Sequence, residues 1–276
     1  MLNGPYKDLG LTAKQHKALM DRIGIELIPR KGNEEFLKYA AHVDVEDLSM
    51  IVRVFTICAD GTEKQLLVSD DAIEMMGLDR DEFIHDAINA AELNHPAMLS
   101  PLNDVLGTSD DAVKTRAYVA SNIEINNGAS VIMYPDFFER SVKSVGESMW
   151  ILPSSRHEVL LLEDRPGSFY DLSDLKAMVW NVNALYRYKT PDYYLSDNVY
   201  HWDVYDKKFE KGETFLRRIM NGPVLTHEPS NNYSVSMVPE FEKELPERSM
   251  ELLAECSAEL KEFEMRKNMD SYQPLM

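Results

Sequence analysis

Residues 129–164 constrain this chain more than any other stretch. ASVIMYPDFFERSVKSVGESMWILPSSRHEVLLLED holds three apolar runs of strand length (129–134, 149–152 and 159–162) and one short amphipathic helix. A polar knot of Pro153, Ser154, Ser155, Arg156, His157 and Glu158 stands between the last two runs. Short apolar runs bounded by turn residues read as strands, and the segment therefore predicts a sheet with a helix packed on it. A polar knot wedged between two hydrophobic strands is the first place to look for a site.

The rest of the chain extends that frame. Residues 11–24 read as a helix with Leu11, Leu19 and Ile23 on one side and Gly24 as its stop, and residues 34–42 as a second, short one. Residues 45–57 are apolar on both alternating faces, which predicts a strand covered on both sides. Asp60-Gly61 marks a hairpin turn with its return strand at 65–68, since both residues tolerate the positive φ such turns need. A helix over 70–76 ends at Gly77, and Asp79 then caps another, with Phe83, Ile84, Ala87, Ile88 and Ala91 as its apolar stripe. Residues 101–111 read as a connection. The pattern then recurs, with a strand at 118–125, a second turn at Asn127-Gly128, a return strand at 129–134 and a helix at 136–145. Low side-chain identity between the two copies favours a common α+β habit over duplication. Ser173 is the expected cap of a helix carrying Leu175, Met178, Val179, Val182 and Leu185, and 195–204 the expected last strand.

The fold class expected is α+β: a hairpin-built mixed or antiparallel sheet with packed helices. The boundaries are a helical N-terminal segment (1–44), an α+β core (45–206), a loop-rich linker (207–239) and a long C-terminal helix (240–276). That last helix carries Leu253, Cys256, Leu260 and Phe263 at three-four-three spacing, a stripe too short for a coiled coil by itself. It is the candidate surface for a protein partner or for self-association.

Composition narrows the function classes. A hydrophobic share of 44% supports a real core, and a formal charge of −18 disfavours direct nucleic-acid binding, which needs clustered Lys and Arg. The start lacks a basic segment followed by an apolar one, and no stretch reaches the roughly 20 apolar residues of a membrane helix. The two cysteines, Cys58 and Cys256, lie far apart without a Cys-x-x-Cys or Cys/His cluster. The expectation is a cytoplasmic protein without a membrane segment, a structural zinc or a cofactor.

Several blocks carry a resemblance. Residues 45–52, 66–70 with Met76-Gly77 and Ala87, 127–135 and 151–159 resemble a family of bacterial proteins known as a domain of unknown function, DUF5688. The likeness continues through 178–183 and 195–200, and so spans about residues 45–205. Leu-Pro-Ser-Ser-x-His-Glu and Leu-Ser-Asp-x-Val-Tyr are its most specific motifs. The resemblance implies a shared fold and a bacterial or mobile-element origin, and implies nothing about catalysis.

Candidate chemistry centres on the knot. Pro153, Ser154, Ser155, His157 and Glu158, joined by Asn181, Ser196 and Asp197, make up the candidate cleft. On an extended strand Ser155 and His157 share one face while Ser154 and Glu158 share the other, and no nucleophile elbow precedes a helix. A strand-end turn or bulge, with the serines capping backbone amides, is therefore the favoured account. His201 and Asp203 project to one face of a strand and with His157 could form a facial metal set; salt-bridging is the simpler reading, and no metal is assigned. The leading function is an interaction or regulatory module. The alternative is a hydrolase-like or other small-molecule enzyme using the cleft.

Overall fold

The computed structural model describes residues 10–57, 62–105, 117–165 and 171–221. The first sheet is built from α1 (Ala13–Met20), β1 (Ile23–Pro29), α2 (Glu34–Leu37), β2 (His42–Val45), β3 (Leu48–Ile57) and β4 (Glu63–Leu67). β3 is its centre. β1 runs antiparallel along one edge, from Ile23 opposite Val54 to Pro29 opposite Leu48. β2 and β4 share the other edge, facing residues 48–51 and 53–57 in turn. Leu48, Met50 and Val52 point into the main core, whereas Ile51 points the other way into a small cluster with Leu37 and Ala40. The strand is thus covered on both sides over its first half, as its double-faced apolar pattern predicts. The β3–β4 hairpin forms; its Asp60-Gly61 turn lies outside the described residues.

The helix expected over 11–24 stops at Met20. Thr12 and Gln15 cap its start reciprocally, and from Ile23 the chain switches to a period of two. Ile23, Ile25 and Leu27 enter the main core, and Ile28 the outer cluster. The segment expected to be helical therefore supplies an edge strand, and the second expected helix is a single turn.

Next come α3 (Asp70–Met75), α4 (Arg80–Asn94), β5 (Ala97–Pro101), α5 (Leu102–Val105), β6 (Ala117–Asn122), a 3₁₀ helix (Gly128–Met133), α6 (Phe137–Val145), β7 (Met149–Ser155) and β8 (Glu158–Glu163). They are followed by α7 (Leu172–Lys189), a short 3₁₀ turn (Pro191–Tyr193), β9 (Tyr200–Asp203), β10 (Lys208–Lys211) and α8 (Gly212–Asn221). Asp79 caps α4 as expected, its carboxylate accepting from the Asp81 and Glu82 amides. The strands form a second sheet in the order β10-β9-β7-β8-β6-β5, antiparallel throughout. Met149, Ile151, Val159 and Leu161 face the core shared with β1, β3, α4 and the 3₁₀ helix. Trp150, Leu152, Leu160 and Leu162 face Leu175, Met178 and Val179 of α7 and Phe215 of α8. With both faces buried, neither strand has a place for alternating polar residues.

Several expectations are corrected here. Residues 129–134 are 3₁₀, not a return strand, because β6 already pairs with β5 on one edge and β8 on the other. The second copy of the hairpin-then-helix pattern, expected around Gly128, therefore does not form. The cap of α7 is Asp171, whose carboxylate accepts from the Asp174 amide and the Ser173 hydroxyl, rather than Ser173 itself. Residues 101–111, expected as a connection, begin with the last residue of β5 and the short helix α5. Residues 208–221, expected within a linker, are β10 and α8, and the strand expected over 195–204 is limited to 200–203. The expected C-terminal helix lies outside the described residues.

Gly128 enters the 3₁₀ helix in a space without room for a side chain. A Cβ there would lie 2.5 Å from the His157 carbonyl and 2.7 Å from the Asn122 amide nitrogen, and would strike the Ser121 hydroxyl. Because two of these obstacles are backbone, Gly128→Ala is expected to lower stability by about 1–3 kcal/mol, read as a shift of the urea midpoint.

Candidate functional site

The polar knot is the tip of the β7–β8 hairpin. Pairing passes from Pro153 opposite Val159 to Ser155 opposite Glu158, with a register shift between Pro153 and Ser155. This is the strand-end bulge favoured from sequence. Ser154 Oγ donates to Glu158 Oε1 at 2.7 Å, and Ser155 Oγ accepts the His157 amide at 3.0 Å. The two serines thus serve the turn, one on each side of the strand.

His157 is anchored from three directions. Its Nδ1 accepts the Asn127 amide at 3.1 Å, its carbonyl accepts the Ser121 hydroxyl at 2.7 Å, and its ring meets Tyr193 edge-on at 4.6 Å between centroids. An Nδ1 that accepts leaves the proton on Nε2, and Nε2 is buried without a hydrogen-bond partner. Burial first, and the neighbouring Arg156 charge second, push the imidazole down from 6.5 to about 4.

Arg156 reaches furthest. Its Nε donates to Asn127 Oδ1 and its Nη1 to the Asp192 carbonyl, each at 3.1 Å, and its Nη2 pairs with Glu26 of β1. Glu26 is only 1% exposed and is held from its other side by Arg53 at 2.9 Å. The Arg156 backbone joins in, donating to the Tyr193 carbonyl and accepting from Ala129.

The remaining candidates gather elsewhere. Ser196 Oγ donates to Asp47 Oδ2 at 2.8 Å, and the same carboxylate accepts from Asn198 Nδ2 and Tyr200 Oη and pairs with Lys211 at 3.2 Å. Burial alone would raise the Asp47 carboxyl, but these donors hold it below its ordinary value. Tyr200 is pushed well up by burial and by the Asp47 charge. Asp197 Oδ1 accepts from Asn183, whose Nδ2 also donates to the Ser196 carbonyl. Asn183, not Asn181, makes this connection; Asn181 lies on the exposed side of α7. The candidate cleft is thus not one site: Arg156 and His157 are bonded to Glu26 and Asn127, Ser154 pairs with Glu158, and Ser196 and Asp197 are bonded to Asp47 and Asn183.

The three suggested metal ligands are not brought together. His201 is fully buried, pairs with Asp164 at 2.9 Å and stacks on Phe215 at 3.5 Å. Asp203 accepts from Arg218 at 2.8 Å and from the amides of Tyr205 and Asp206, which hold its carboxyl low against burial. Among the described residues no group of three or more His, Cys, Asp or Glu is placed to hold a metal ion. Likewise, no helix among them is long and apolar enough to cross a membrane.

Sequence reasoning missed Glu26, Asp47, Asn127 and Arg218. One signal was available: an acid flanked by apolar residues, as in Ile25-Glu26-Leu27, must find a cation or stay in water. Residues 7–204 match the family described as Family of unknown function (DUF5688), and the chain belongs to that family. The match takes in the N-terminal residues that lie outside the blocks quoted above. No curated protein matches the chain, and no solved structure does.

His157 sets a pH dependence. Its folded value of about 4 lies below the ordinary 6.5, so the unfolded chain takes up the proton first. The contribution is complete above the ordinary value and is lost as pH falls toward the folded one. His157→Gln is expected to shrink the stability difference between about pH 7.5 and about pH 4.5 by roughly 2 kcal/mol, measured from urea midpoints at the two values.

Proposed function

We propose that this chain is a protein-interaction or regulatory module working in the cytoplasm, through its acidic surface and its C-terminal segment. The observation that carries the reading is the engagement of the knot. Ser154, Ser155, Arg156 and the Nδ1 of His157 are each bonded within the fold, and Ser196 and Asp197 belong to a different bonded group. A catalytic constellation needs its groups aimed at one reacting atom, and these are aimed at one another. Trp180, by contrast, stands 57% exposed on α7, and a large exposed aromatic is the usual anchor of a binding surface. A net charge of −18 suits a partner that offers basic residues around an apolar contact.

The test is affinity capture from the native host with the full chain. Leu260→Asp with Phe263→Asp is expected to lose a partner that His157→Ala retains. Loss with His157→Ala alone would overturn the reading.

A small-molecule enzyme is the second reading, and the buried Nε2–H of His157 beside Tyr193 favours it. On that reading a metabolite raises the melting temperature of the wild-type chain and leaves that of His157→Ala unchanged.

A further inference from the structure

We propose that helix α8 is a latch over a buried histidine–carboxylate pair, His201 with Asp164, and that Arg218 holds it shut. The pair lies apart from the knot around His157 and from the residues bonded to Asp47.

The two helices on this face of the second sheet are seated differently. Leu175, Met178 and Val179 of α7 pack on Leu152, Leu160 and Leu162, and that contact cannot open without baring apolar surface to water. α8 buries only Gly212 and Phe215 of its ten residues, with Leu216 partly covered. Beneath α8 the sheet is polar. His201 and Glu210 stand opposite each other on β9 and β10, and Asp203, two residues along β9, shares their face. The charged groups under α8 can exchange their protein partners for water when it lifts, a route closed to the leucines under α7.

The helix has a fixed end and a clasp. In its first turn the Gly212 amide donates to the Val199 carbonyl at 2.8 Å, and Glu213 pairs with Lys176 of α7. Near its other end Arg218 donates from Nε to Glu210 Oε1 at 2.6 Å and from Nη2 to Asp203 Oδ2 at 2.8 Å, and its Nη1 pairs with Asp206. One guanidinium on three carboxylates therefore keeps Phe215 in place over His201.

Lifting α8 frees one atom in particular. His201 is 0% exposed, with Nε2 2.9 Å from Asp164 Oδ2, Trp150 edge-on to the ring and Phe215 stacked on it. Its Nδ1 is buried without a hydrogen-bond partner. An imidazole oriented by a carboxylate through one nitrogen, with the other nitrogen unengaged, is the arrangement a general base requires. With its proton on Nε2 toward Asp164, Nδ1 is an acceptor, and the opened site takes a hydrogen-bond donor from water or from a small molecule.

Diethyl pyrocarbonate tests this, since it acylates a histidine ring nitrogen only where it can reach one, and peptide mass spectrometry reads each site. In the full chain the exposed His85 is expected to label first and His201 slowly. Arg218→Gln should raise the His201 rate at least about tenfold, because removing one member of a buried ionic set unbalances the others, and should leave the rate at His157 unchanged. Equal His201 rates in wild type and variant overturn the proposal. A parallel rise at His157 overturns it too, since the whole fold would then have loosened. The wild type alone supplies a second reading: in native-state hydrogen exchange the α8 amides should exchange together and ahead of those of β7 and β8. Protection of α8 as long as that of the two strands sinks the latch whatever the variant does.

Discussion

The carboxylate of Glu26 joins the two sheets of this protein. It sits on the edge strand β1 at 1% exposure, between Arg53 of the neighbouring strand and Arg156 from the hairpin tip of the other sheet. A charge so far from water must be matched, and removing one member of such a set leaves the others uncompensated at about 3–5 kcal/mol. Arg156 cannot be placed without also placing its other contacts, Asn127 Oδ1 and the Asp192 carbonyl. The 3₁₀ helix, the β7–β8 hairpin and the turn after α7 therefore take their positions from one guanidinium. Asp47 does the same at the β2–β3 turn, where Ser196, Asn198, Tyr200 and Lys211 converge on it. Apolar burial gives the fold most of its stability, but it is non-directional. These two acids give the sheets their register against one another.

This explains why the most polar stretch of an otherwise hydrophobic region can be so fully buried. A hairpin tip that stayed in water would need no serine to cap the His157 amide and no glutamate to receive Ser154. The tip is instead enclosed by the 3₁₀ helix and Tyr193. Most polar groups there accordingly have a partner, since an unmade bond in such a place is expensive, and His157 Nε2 is the exception. Gly128 is the steric counterpart of the same enclosure, lying against the His157 carbonyl where no side chain fits.

The elements legible in the sequence are those whose signal is local. The runs at 149–152 and 159–162, the capped stripe of α4 and the amphipathic α6 each announce themselves within a dozen residues. The errors arise where a local pattern was ambiguous and tertiary pairing decided. Residues 129–134 have the β-branched, apolar look of a strand, and only the occupancy of both edges of β6 turns them into 3₁₀. At β1 the helical spacing of Leu19 and Ile23 competed with the alternation of Ile23, Ile25 and Leu27, and the ladder to β3 settled it. The bulge at Pro153 was legible because Pro and Ser have turn chemistry of their own. The partners of the knot were not, because Glu26 lies 130 residues from Arg156 and Asp47 lies 149 from Ser196.

Family membership and geometry bear on each other. The two most specific motifs of the resemblance, residues 152–158 and 195–200, specify Ser154, Glu158, Ser196 and Tyr200 and leave the positions of Arg156 and Asn198 open, and the block at 45–52 contains Asp47. Ser154 bonds Glu158 within the hairpin tip, and Ser196 and Tyr200 bond Asp47, so these specified residues have structural partners in this fold. The matched region ends at residue 204, yet the sheet does not. β10 pairs with β9, Phe215 covers the buried His201–Asp164 pair, and Arg218 binds Asp203, Asp206 and Glu210 at once. Without β10 and α8, His201 would lose its stacking partner, and Asp203 its cation. The structural unit therefore extends at least to Asn221, and any segment that acts on this fold from its C-terminal side does so from the far end of α8.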